Sequence, residues 1–327
     1  MRRLLLVAAA LACLAAGCGS ETGEDRPGKE ATLLLDFTPN AVHAGVYMAV
    51  DRGFDDAEGV PLTVRKPGAS TDALKLLGSG RADMAILDIH DLGLARQEGE
   101  DVVGVMAIVQ RPLAAVLAQP GIASPADLEG RRAGVTGLPS DDAVLRSVVA
   151  GAGGDPDEVD LTTIGFRAVP ALLAGRVDAA TAFWNVEGVA LEAEKPGIRE
   201  FRVDEFGAPA YPELVLTVTR DTLDDDAPLV RAAIRALQRG YGEAQTDPES
   251  AVATMVADEP ELDAEQLTAQ FDAVAPAFTA GASAYGELRR PVLERWADWD
   301  VEFGILDERP DVDAAFDTTL VGPTGRD

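Results

Sequence analysis

The sequence predicts an α/β protein of two similar lobes, each a mainly parallel sheet flanked by helices, followed by a helical C-terminal tail. Short apolar runs alternate with helical stretches over about the first two hundred residues, which is typical of parallel sheets. One helix–glycine–strand segment occurs twice. The roughly 295 residues that follow a polar N-terminal stretch are also too many for one ordinary core.

The N-terminus has the features of an export signal. Arg2 and Arg3 precede an apolar run shorter than the roughly 20 residues of a membrane-spanning helix, and small residues lead into Cys18. This arrangement resembles a bacterial lipobox, which implies that residues 1–17 are removed and that Cys18 carries a lipid. An ordinary signal followed by an accidental thiol is the alternative. Residues 18–30 are polar and predict a flexible tether, so we expect an extracytoplasmic, membrane-anchored protein.

The composition argues against several classes of protein. A formal net charge of -28 argues against nucleic-acid binding, which needs Lys and Arg against phosphates. Cys13 lies in the predicted signal, so the mature chain would keep only Cys18, and a disulfide or a cysteine-based metal site within one chain is excluded. There is no Gly-x-Ser-x-Gly motif, and His43 and His90 lack metal-ligand spacing. These observations disfavour a hydrolase.

Eight apolar segments of strand length make up the predicted sheets. They are Thr32–Asp36, Leu62–Arg65, Asp83–Leu87, Val102–Val109, Ala114–Ala118, Arg132–Val135, Asp178–Phe183 and Leu214–Val218.

The repeated segment reads LLGSGRADMA in its first copy and LLAGRVDAA in its second. Gly80 and Gly175 each follow a helical stretch, where glycine supplies a left-handed cap, and Asp83 and Asp178 each start the strand that follows. Chance recurrence of a common turn is the alternative. If the copies are equivalent, each lobe ends a strand in polar groups at the same edge of its sheet, where ligands of open parallel sheets bind.

The C-terminal third has the apolar spacing of helices rather than of strands. Helices are predicted over Val230–Tyr241, Pro248–Ala257, Asp263–Val274 and Pro291–Phe303. We expect this tail to pack on the first lobe, which then comprises residues 31–112 and 218–327. The second lobe comprises residues 113–217, with crossings near 109–114 and 215–219.

The stretch DFTPNAVHAGVY, residues 36–47, carries the densest set of functional side chains. A buried strand ends at Asp36, a Pro-Asn turn follows, and a helix opens with His43 and Tyr47 on one face. This stretch resembles the solute-binding proteins of importers for thiamine-precursor pyrimidines, a superfamily shared with the yeast pyrimidine synthases. Its members have an acid, an aromatic residue, Thr-Pro-Asn, a nearby His and Gly-x-Tyr. Phe37 stands where the family usually has Trp.

A second match is WNVEG, residues 184–188, which is similar to the Trp-Asn-x-Glu stretch of the same family. Weaker matches are RAD at 81–83, PS at 139–140 and YPELVL at 211–216. The resemblance implies a periplasmic-binding-protein-like fold, a monomer that delivers its ligand to an ABC permease, and neither cofactor nor metal.

The matched residues suit a flat, amine-bearing ring. An aromatic side chain such as Trp184 stacks on such a ring for about 0.5 to 1.5 kcal/mol beyond burial. Glu187 accepts charge-assisted hydrogen bonds, which are roughly twice as strong as neutral ones. The predicted ligand-binding residues are Asp36, Phe37, Asn40, His43, Tyr47, Asp88, Ser140, Trp184, Asn185, Glu187 and Tyr211. Purely structural roles for His43, Trp184 and Tyr47 stay open.

The function expected from the sequence is therefore capture of a thiamine-precursor aminopyrimidine, of hydroxymethylpyrimidine or formylaminopyrimidine type, rather than catalysis. Riboflavin, or nitrate and sulfonates, are the alternative ligands, and an anion site would need basic side chains or helix N-termini at the cleft. A pyrimidine synthase is the enzymatic alternative. The yeast relatives have a cysteine-rich iron-binding segment that this sequence lacks. An adhesion or structural lipoprotein would have no cleft.

Overall fold

The computed structural model describes residues 29–68 and 72–321, which contain two five-stranded sheets. The predicted signal peptide, Cys18 and nearly all of the tether lie outside the described residues. Within these residues, no helix is both long enough and apolar enough to cross a bilayer.

The first sheet has the strand order β2-β1-β3-β10-β4. Its strands are β1 Ala31–Leu34, β2 Leu62–Arg65, β3 Met84–Asp88, β4 Val102–Ala107 and β10 Leu214–Thr219. Strands β1, β2 and β3 are parallel, whereas β10 is antiparallel to both of its neighbours, β3 and β4. Every residue of β4 is buried, and so is every residue of β10 except its last.

The second sheet repeats this plan in the order β7-β6-β8-β5-β9. Its strands are β5 Ala114–Ala118, β6 Arg132–Val135, β7 Asp160–Thr163, β8 Ala179–Phe183 and β9 Arg199–Arg202. Here β5 is the antiparallel strand, between β8 and β9. Each lobe therefore has a mixed sheet with one antiparallel strand, β10 in the first and β5 in the second. Each of these strands directly follows a crossing of the chain from the other lobe.

All eight predicted strands form, with ends shifted by at most two residues. Two further strands, β7 and β9, were not predicted. Their sequences, DLTT and REFR, are polar because each strand lies at a sheet edge and is largely exposed. Neither has the apolar run or the strict alternation that marks a half-buried strand.

Thirteen α-helices are described. They are α1 Ala44–Asp51, α2 Phe54–Ala57, α3 Asp72–Gly78, α4 Ile89–Gln97, α5 Pro139–Gly151, α6 Ala168–Leu173, α7 Val189–Glu194, α8 Arg220–Asp225, α9 Ala227–Thr246, α10 Pro248–Asp258, α11 Ala264–Val274, α12 Arg290–Glu302 and α13 Val312–Ala315. The four predicted C-terminal helices correspond to α9 to α12. Asp226 starts α9 by accepting a hydrogen bond from the Leu229 N–H at 3.3 Å.

The two copies of the repeat have the same structure. The glycine after α3 and the glycine after α6 are left-handed, with φ of 67° and 64°. The carboxylate of Asp83 accepts a hydrogen bond from the backbone of Thr32 in β1 at 2.8 Å. The carboxylate of Asp178 accepts the equivalent bond from Arg132 in β6 at 3.1 Å. Both aspartates thus fix the register of a parallel strand pair, which confirms that the repeat marks two equivalent lobes.

The chain crosses between the lobes twice, after β4 and before β10. The first crossing lies where predicted, between residues 107 and 114. The second does not, since residues 215–219 belong to β10 in the first sheet and the crossing precedes Leu214. The predicted lobe boundary at residue 217 therefore falls inside a strand. The boundary was misplaced because the apolar sequence of a buried strand does not indicate which of the two sheets the strand joins.

Two polar contacts tie the crossings to each other. The buried carboxylate of Glu213, on the second crossing, accepts hydrogen bonds from the backbone N–H groups of Leu113 at 2.6 Å and Ala114 at 3.1 Å. Arg111, on the first crossing, binds one carboxylate oxygen of Asp204 through Nε at 2.8 Å and Nη2 at 2.6 Å. The crossings consequently form one cross-linked hinge rather than two independent linkers.

Candidate functional site

A cavity of about 140 Å³ lies between the lobes and is lined by both of them. Its first-lobe polar groups are Asp36, Asn40, Asp88 and Asp91. Its second-lobe polar groups are Thr136, Ser140, Asp141, Thr181 and Glu187. Most of these groups lie at or beyond the carboxyl ends of parallel strands, as expected for ligand sites of open sheets. The segments 36–47 and 184–187, far apart in sequence, both contribute to this one cavity.

The turn after β1 presents Asp36 to the cavity and holds it from behind. Asn40 starts the turn by accepting a hydrogen bond from the Val42 N–H at 3.0 Å. His43 Nδ1 accepts from the Asn40 N–H at 3.2 Å, which places the ring proton on Nε2. Nε2 then donates to Asp36 Oδ1 at 2.7 Å. His43 itself is fully buried and does not line the cavity, so it orients the acid instead of facing the cavity.

Close helix packing fixes this turn in place. Helix α1 lies against α9, where a Cβ at Gly45 would overlap the ring of Tyr241. A Cβ at Gly240 would overlap the carbonyl oxygen of Gly45. The Tyr241 hydroxyl donates to the Val42 carbonyl at 2.8 Å. The glycines therefore bring α9 directly under the turn that carries the acid.

Asp88 ends β3 and joins the cavity to a buried polar network. Its Oδ1 accepts a hydrogen bond from the His90 N–H at 2.8 Å, and its carboxyl group lies beside that of Glu213. His90 Nδ1 contacts the Asp300 carboxylate at 3.0 Å, and Nε2 lies 3.2 Å from the Tyr211 hydroxyl. Tyr211 is thus a fully buried member of this network and does not line the cavity.

Burial and the close approach of charged groups both shift the pKa values in this network. Burial raises the pKa of Asp88 well above its usual range, and it also raises the pKa of Glu213. Burial alone would lower the pKa of His90, but the carboxylates of Asp300, Asp88 and Glu213 outweigh it and raise that pKa to about 10. The surrounding acids therefore favour the protonated form of His90.

Among the described residues, Asp88, His90 and Glu213 are the group close enough to hold a metal ion, with ligand atoms within 4.8 Å of one another. Both ring nitrogens of His90 already have partners, and the carboxylate of Glu213 binds two backbone N–H groups. A hydrogen-bond network with a structural role accounts for all of these contacts.

The WNVEG segment forms one wide helical turn after β8, and its residues face different surroundings. Glu187 lines the cavity, and its Oε2 accepts a hydrogen bond from the Phe183 N–H at 3.2 Å. Burial raises the pKa of this carboxyl group. Asn185 is fully buried, and its side-chain amide has no hydrogen-bond partner among the described residues.

Trp184 does not contribute a stacking face to the cavity. Its Nε1 donates to the Pro112 carbonyl at 3.0 Å, and the guanidinium of Arg202 covers its ring at 3.9 Å from the centroid. The ring is 3% exposed and supports the first crossing from the second lobe. Tyr47 is also directed away from the cavity, since its hydroxyl donates to Glu259 at 2.8 Å.

Phenylalanines supply the aromatic surface of the cavity in place of Trp184. Phe37 comes from the first lobe, and Phe166 and Phe183 come from the second. Phe37 was predicted from the sequence, whereas Phe166 was not, because it lies in a loop after an edge strand that was itself missed. Asp91 and Asp141 were also missed, although each lies within three residues of a predicted site residue.

The electrostatic character of the cavity is acidic. Five carboxyl groups line it, from Asp36, Asp88, Asp91, Asp141 and Glu187, and the described part of the wall contains neither Lys nor Arg. Burial raises the pKa of Asp91 and of Asp141, while the Thr136 hydroxyl donates to Asp141. Such a wall accepts hydrogen bonds and attracts positive charge, and it offers little to an anion.

Comparison with known proteins assigns the family. The profile of proteins described as NMT1/THI5 like matches residues 40–251, more than half of the chain. The chain belongs to the NMT1/THI5-like family.

The similar proteins include a binding protein and several synthases. The chain is 32% identical over 266 residues to the formylaminopyrimidine-binding protein of Halalkalibacterium halodurans, which covers 80% of this chain and 81% of that one. It is 24% identical over 304 residues to the 4-amino-5-hydroxymethyl-2-methylpyrimidine phosphate synthase of Legionella pneumophila, covering 90% and 92% of the two chains.

Solved structures confirm the fold of this NMT1/THI5-like chain. The aliphatic sulphonate binding protein SsuA of Escherichia coli superposes with a TM-score of 0.73 at 15% identity, over 91% of this chain and 95% of that one. The nitrate-binding protein NrtA of Synechocystis PCC 6803 gives a TM-score of 0.68 at 12% identity, over 90% and 87%. At such identities the likeness shows a shared periplasmic-binding-protein fold.

Proposed function

We propose that the protein is the extracytoplasmic solute-binding component of an ABC importer and that it captures a thiamine-precursor aminopyrimidine between its lobes. The observation that carries the proposal is the wall of the inter-lobe cavity, which combines five carboxyl groups with three phenylalanines and no described Lys or Arg. An aminopyrimidine offers what this wall needs: amine donors, a ring nitrogen that accepts a proton, and flat apolar faces.

The size of the cavity supports a ligand with one ring. An engineered protein cavity of roughly 150 Å³ binds benzene, a single six-membered ring. The cavity here has a similar volume of about 140 Å³. The three fused rings of riboflavin exceed that space. The riboflavin alternative would therefore require the lobes to move apart.

The charge of the cavity disfavours the anionic alternatives. Nitrate and sulfonate sites need donors such as basic side chains or free helix N-termini. Here the carboxyl groups would repel an anion from both lobes. The proteins that superpose on this chain include a sulphonate-binding and a nitrate-binding protein. Their sequence identity to this chain is so low that the likeness is evidence for a shared fold but not for a shared ligand.

We favour binding over catalysis because the side chains of this cavity are arranged to hold a ligand. His43 is committed to Asp36 and Asn40 behind the cavity wall. The sequence has two cysteines, Cys13 and Cys18, and so lacks the cysteine-rich segment that the synthase alternative requires. The formylaminopyrimidine-binding protein, at 32% identity, is also more similar in sequence to this chain than the Legionella pneumophila synthase, at 24%.

The proposed mechanism is closure about the cross-linked hinge. A ligand first contacts one lobe, then gains contacts with the other, and so shifts the population toward the closed form. Lipid on Cys18 would keep the protein at the membrane, and the closed form would dock as a monomer on the permease.

Isothermal titration of the protein with a small panel tests the proposal. The panel comprises aminomethylpyrimidine, its formyl derivative, thiamine, riboflavin, taurine and nitrate. We expect one of the two pyrimidines to bind with a Kd of about 1 μM or tighter, and taurine and nitrate not to bind. Binding of taurine or nitrate alone would contradict the ligand assignment. Formation of hydroxymethylpyrimidine phosphate by the protein would instead identify a synthase.

A further inference from the structure

The most exposed large apolar side chain in the described part of the chain is Phe166, which is 58% exposed. It lies at the cavity in the loop after β7, next to Gly165, whose φ of 58° is left-handed. The following residue braces the loop, since Arg167 Nε donates to the Ile164 carbonyl at 3.2 Å. A single exposed phenylalanine needs no explanation on its own, but this one has a partner in the other lobe.

That partner is Phe37, on the first-lobe turn that presents Asp36. The centroids of the two rings lie 5.9 Å apart with an interplanar angle of 39°. Aromatic pairs are attractive at 4.5 to 7 Å in tilted arrangements. This is a direct apolar contact between the lobes at the cavity.

The distance between the Phe37 and Phe166 rings determines whether a ligand can stack between them. A flat ligand inserted between two aromatic rings needs roughly 7 Å between their centroids, because each pair of stacked carbon atoms approaches to about 3.5 Å. The observed 5.9 Å leaves too little room. The ligand must therefore lie deeper, among the carboxyl groups, with the two rings above it.

We propose that Phe166 is a specificity-determining residue, which closes the cavity with Phe37 and limits the ligand to a single ring. This inference rests on the proposed function. A substituent that projects from the pyrimidine past this pair would separate the rings and lose their contact. Thiamine is such a ligand, since it carries a thiazolium ring on the same pyrimidine. The pair also covers the carboxyl groups, and exclusion of water strengthens their bonds to the ligand.

The test measures the affinity of aminomethylpyrimidine and of thiamine for the wild type, Phe166→Ala, Phe37→Ala and the double variant. Val301→Ala is the matched control, because Val301 is the other exposed large apolar residue of the described chain and lies outside the cavity. We expect Phe166→Ala to weaken the pyrimidine about two- to tenfold, through faster dissociation, and to strengthen thiamine. The ratio of the thiamine Kd to the pyrimidine Kd then falls. In the double variant, Phe37→Ala should cause little further loss of pyrimidine affinity beyond that of Phe166→Ala. An unchanged ratio, or fully additive losses, would overturn the inference.

A ligand-free measurement separates this inference from the proposed function. Cysteines introduced for fluorescent labels at Ala150 in the second lobe and Arg231 in the first, both exposed, report the closed population by energy transfer. Cys13→Ser and Cys18→Ser remove the two native thiols. Phe166→Ala should lower that population and Val301→Ala should not. If no pyrimidine binds the wild type, the proposed function is wrong. The energy-transfer measurement still tests the contact between Phe37 and Phe166, because equal closed populations in the wild type and Phe166→Ala would refute its role in closure.

Discussion

Replacing Glu187 with glutamine is expected to weaken ligand binding and, at the same time, to stabilise the empty protein. Glu187 lines the cavity from the second lobe, and its oxygen accepts a hydrogen bond from the Phe183 N–H at 3.2 Å. Glutamine has nearly the same shape and can keep that acceptor, so the change removes the charge and turns the other oxygen into an amide donor.

The loss of affinity follows from the two kinds of hydrogen bond. A bond to a charged group contributes about 1.5 to 3 kcal/mol, and a neutral one about 0.5 to 1.5 kcal/mol. The difference of about 1 to 1.5 kcal/mol corresponds to a Kd that is about five- to twelvefold weaker for an amine-bearing pyrimidine.

The gain in stability follows from the pKa. Burial raises the pKa of Glu187 in the folded protein, so between its unfolded and folded values the folded state binds the proton more tightly than the unfolded state does. Stability therefore decreases as the pH rises through that window. Glutamine stays neutral and avoids the loss, so the variant should have the higher Tm at pH 7.5, with a smaller difference at pH 4.

Titration calorimetry and thermal unfolding at both pH values measure the two effects. Glu194→Gln is the control, since Glu194 is exposed on the neighbouring helix α7 and should change neither quantity. Unchanged affinity in Glu187→Gln would remove Glu187 from the ligand contacts. A lower Tm at pH 7.5 would mean that the carboxylate stabilises the fold, contrary to the reasoning from burial.

Three further predictions concern the scaffold of the site. His43→Ala leaves Asp36 without its 2.7 Å partner and should cost about 1 to 3 kcal/mol of unfolding free energy in urea, with weaker pyrimidine binding in titration calorimetry. Gly45→Ala places a methyl group in the ring of Tyr241 and should cost about 1 to 3 kcal/mol in the same denaturation, whereas Gly242→Ala, at an open position of α9, should not. Because the pKa of His90 is raised to about 10, its contribution to stability is complete below its unfolded pKa and lost as the pH rises through the folded value. The Tm should therefore fall between about pH 6.5 and pH 10, and a flat profile would contradict the raised pKa of His90.

The duplicated architecture was predictable because it depends on local signals. A glycine after each helix, an aspartate that starts each strand and a buried apolar run are all short-range features, and Asp83 and Asp178 have the equivalent roles that their spacing suggested. The position of β10 was not predictable in this way. Its sequence shows that it is buried, but the sheet that it joins is decided by pairing with β3 and β4, which are distant in the chain.

The candidate site was predicted at the level of segments better than at the level of side chains. Asp36, Phe37, Asn40, Asp88, Ser140 and Glu187 meet in one cavity. The motifs also contained His43, Tyr47, Trp184, Asn185 and Tyr211, which lie behind the wall. A sequence motif does not distinguish a side chain that faces a cavity from one that supports it, because the direction of each depends on packing partners such as Arg202 over Trp184. Whether the cavity residues contact a ligand stays a prediction.

The strand exchange between the lobes bears on the order in which the nascent polypeptide can fold as it emerges from the ribosome. All five strands of the second sheet lie within residues 114–202 and emerge together. The first sheet cannot be completed until later, because β10, residues 214–219, lies between β3 and β4. Until they arrive, two apolar strand edges stay open, and such edges recruit other chains. A chaperone that shields nascent chains would thus be needed most during the synthesis of the second lobe.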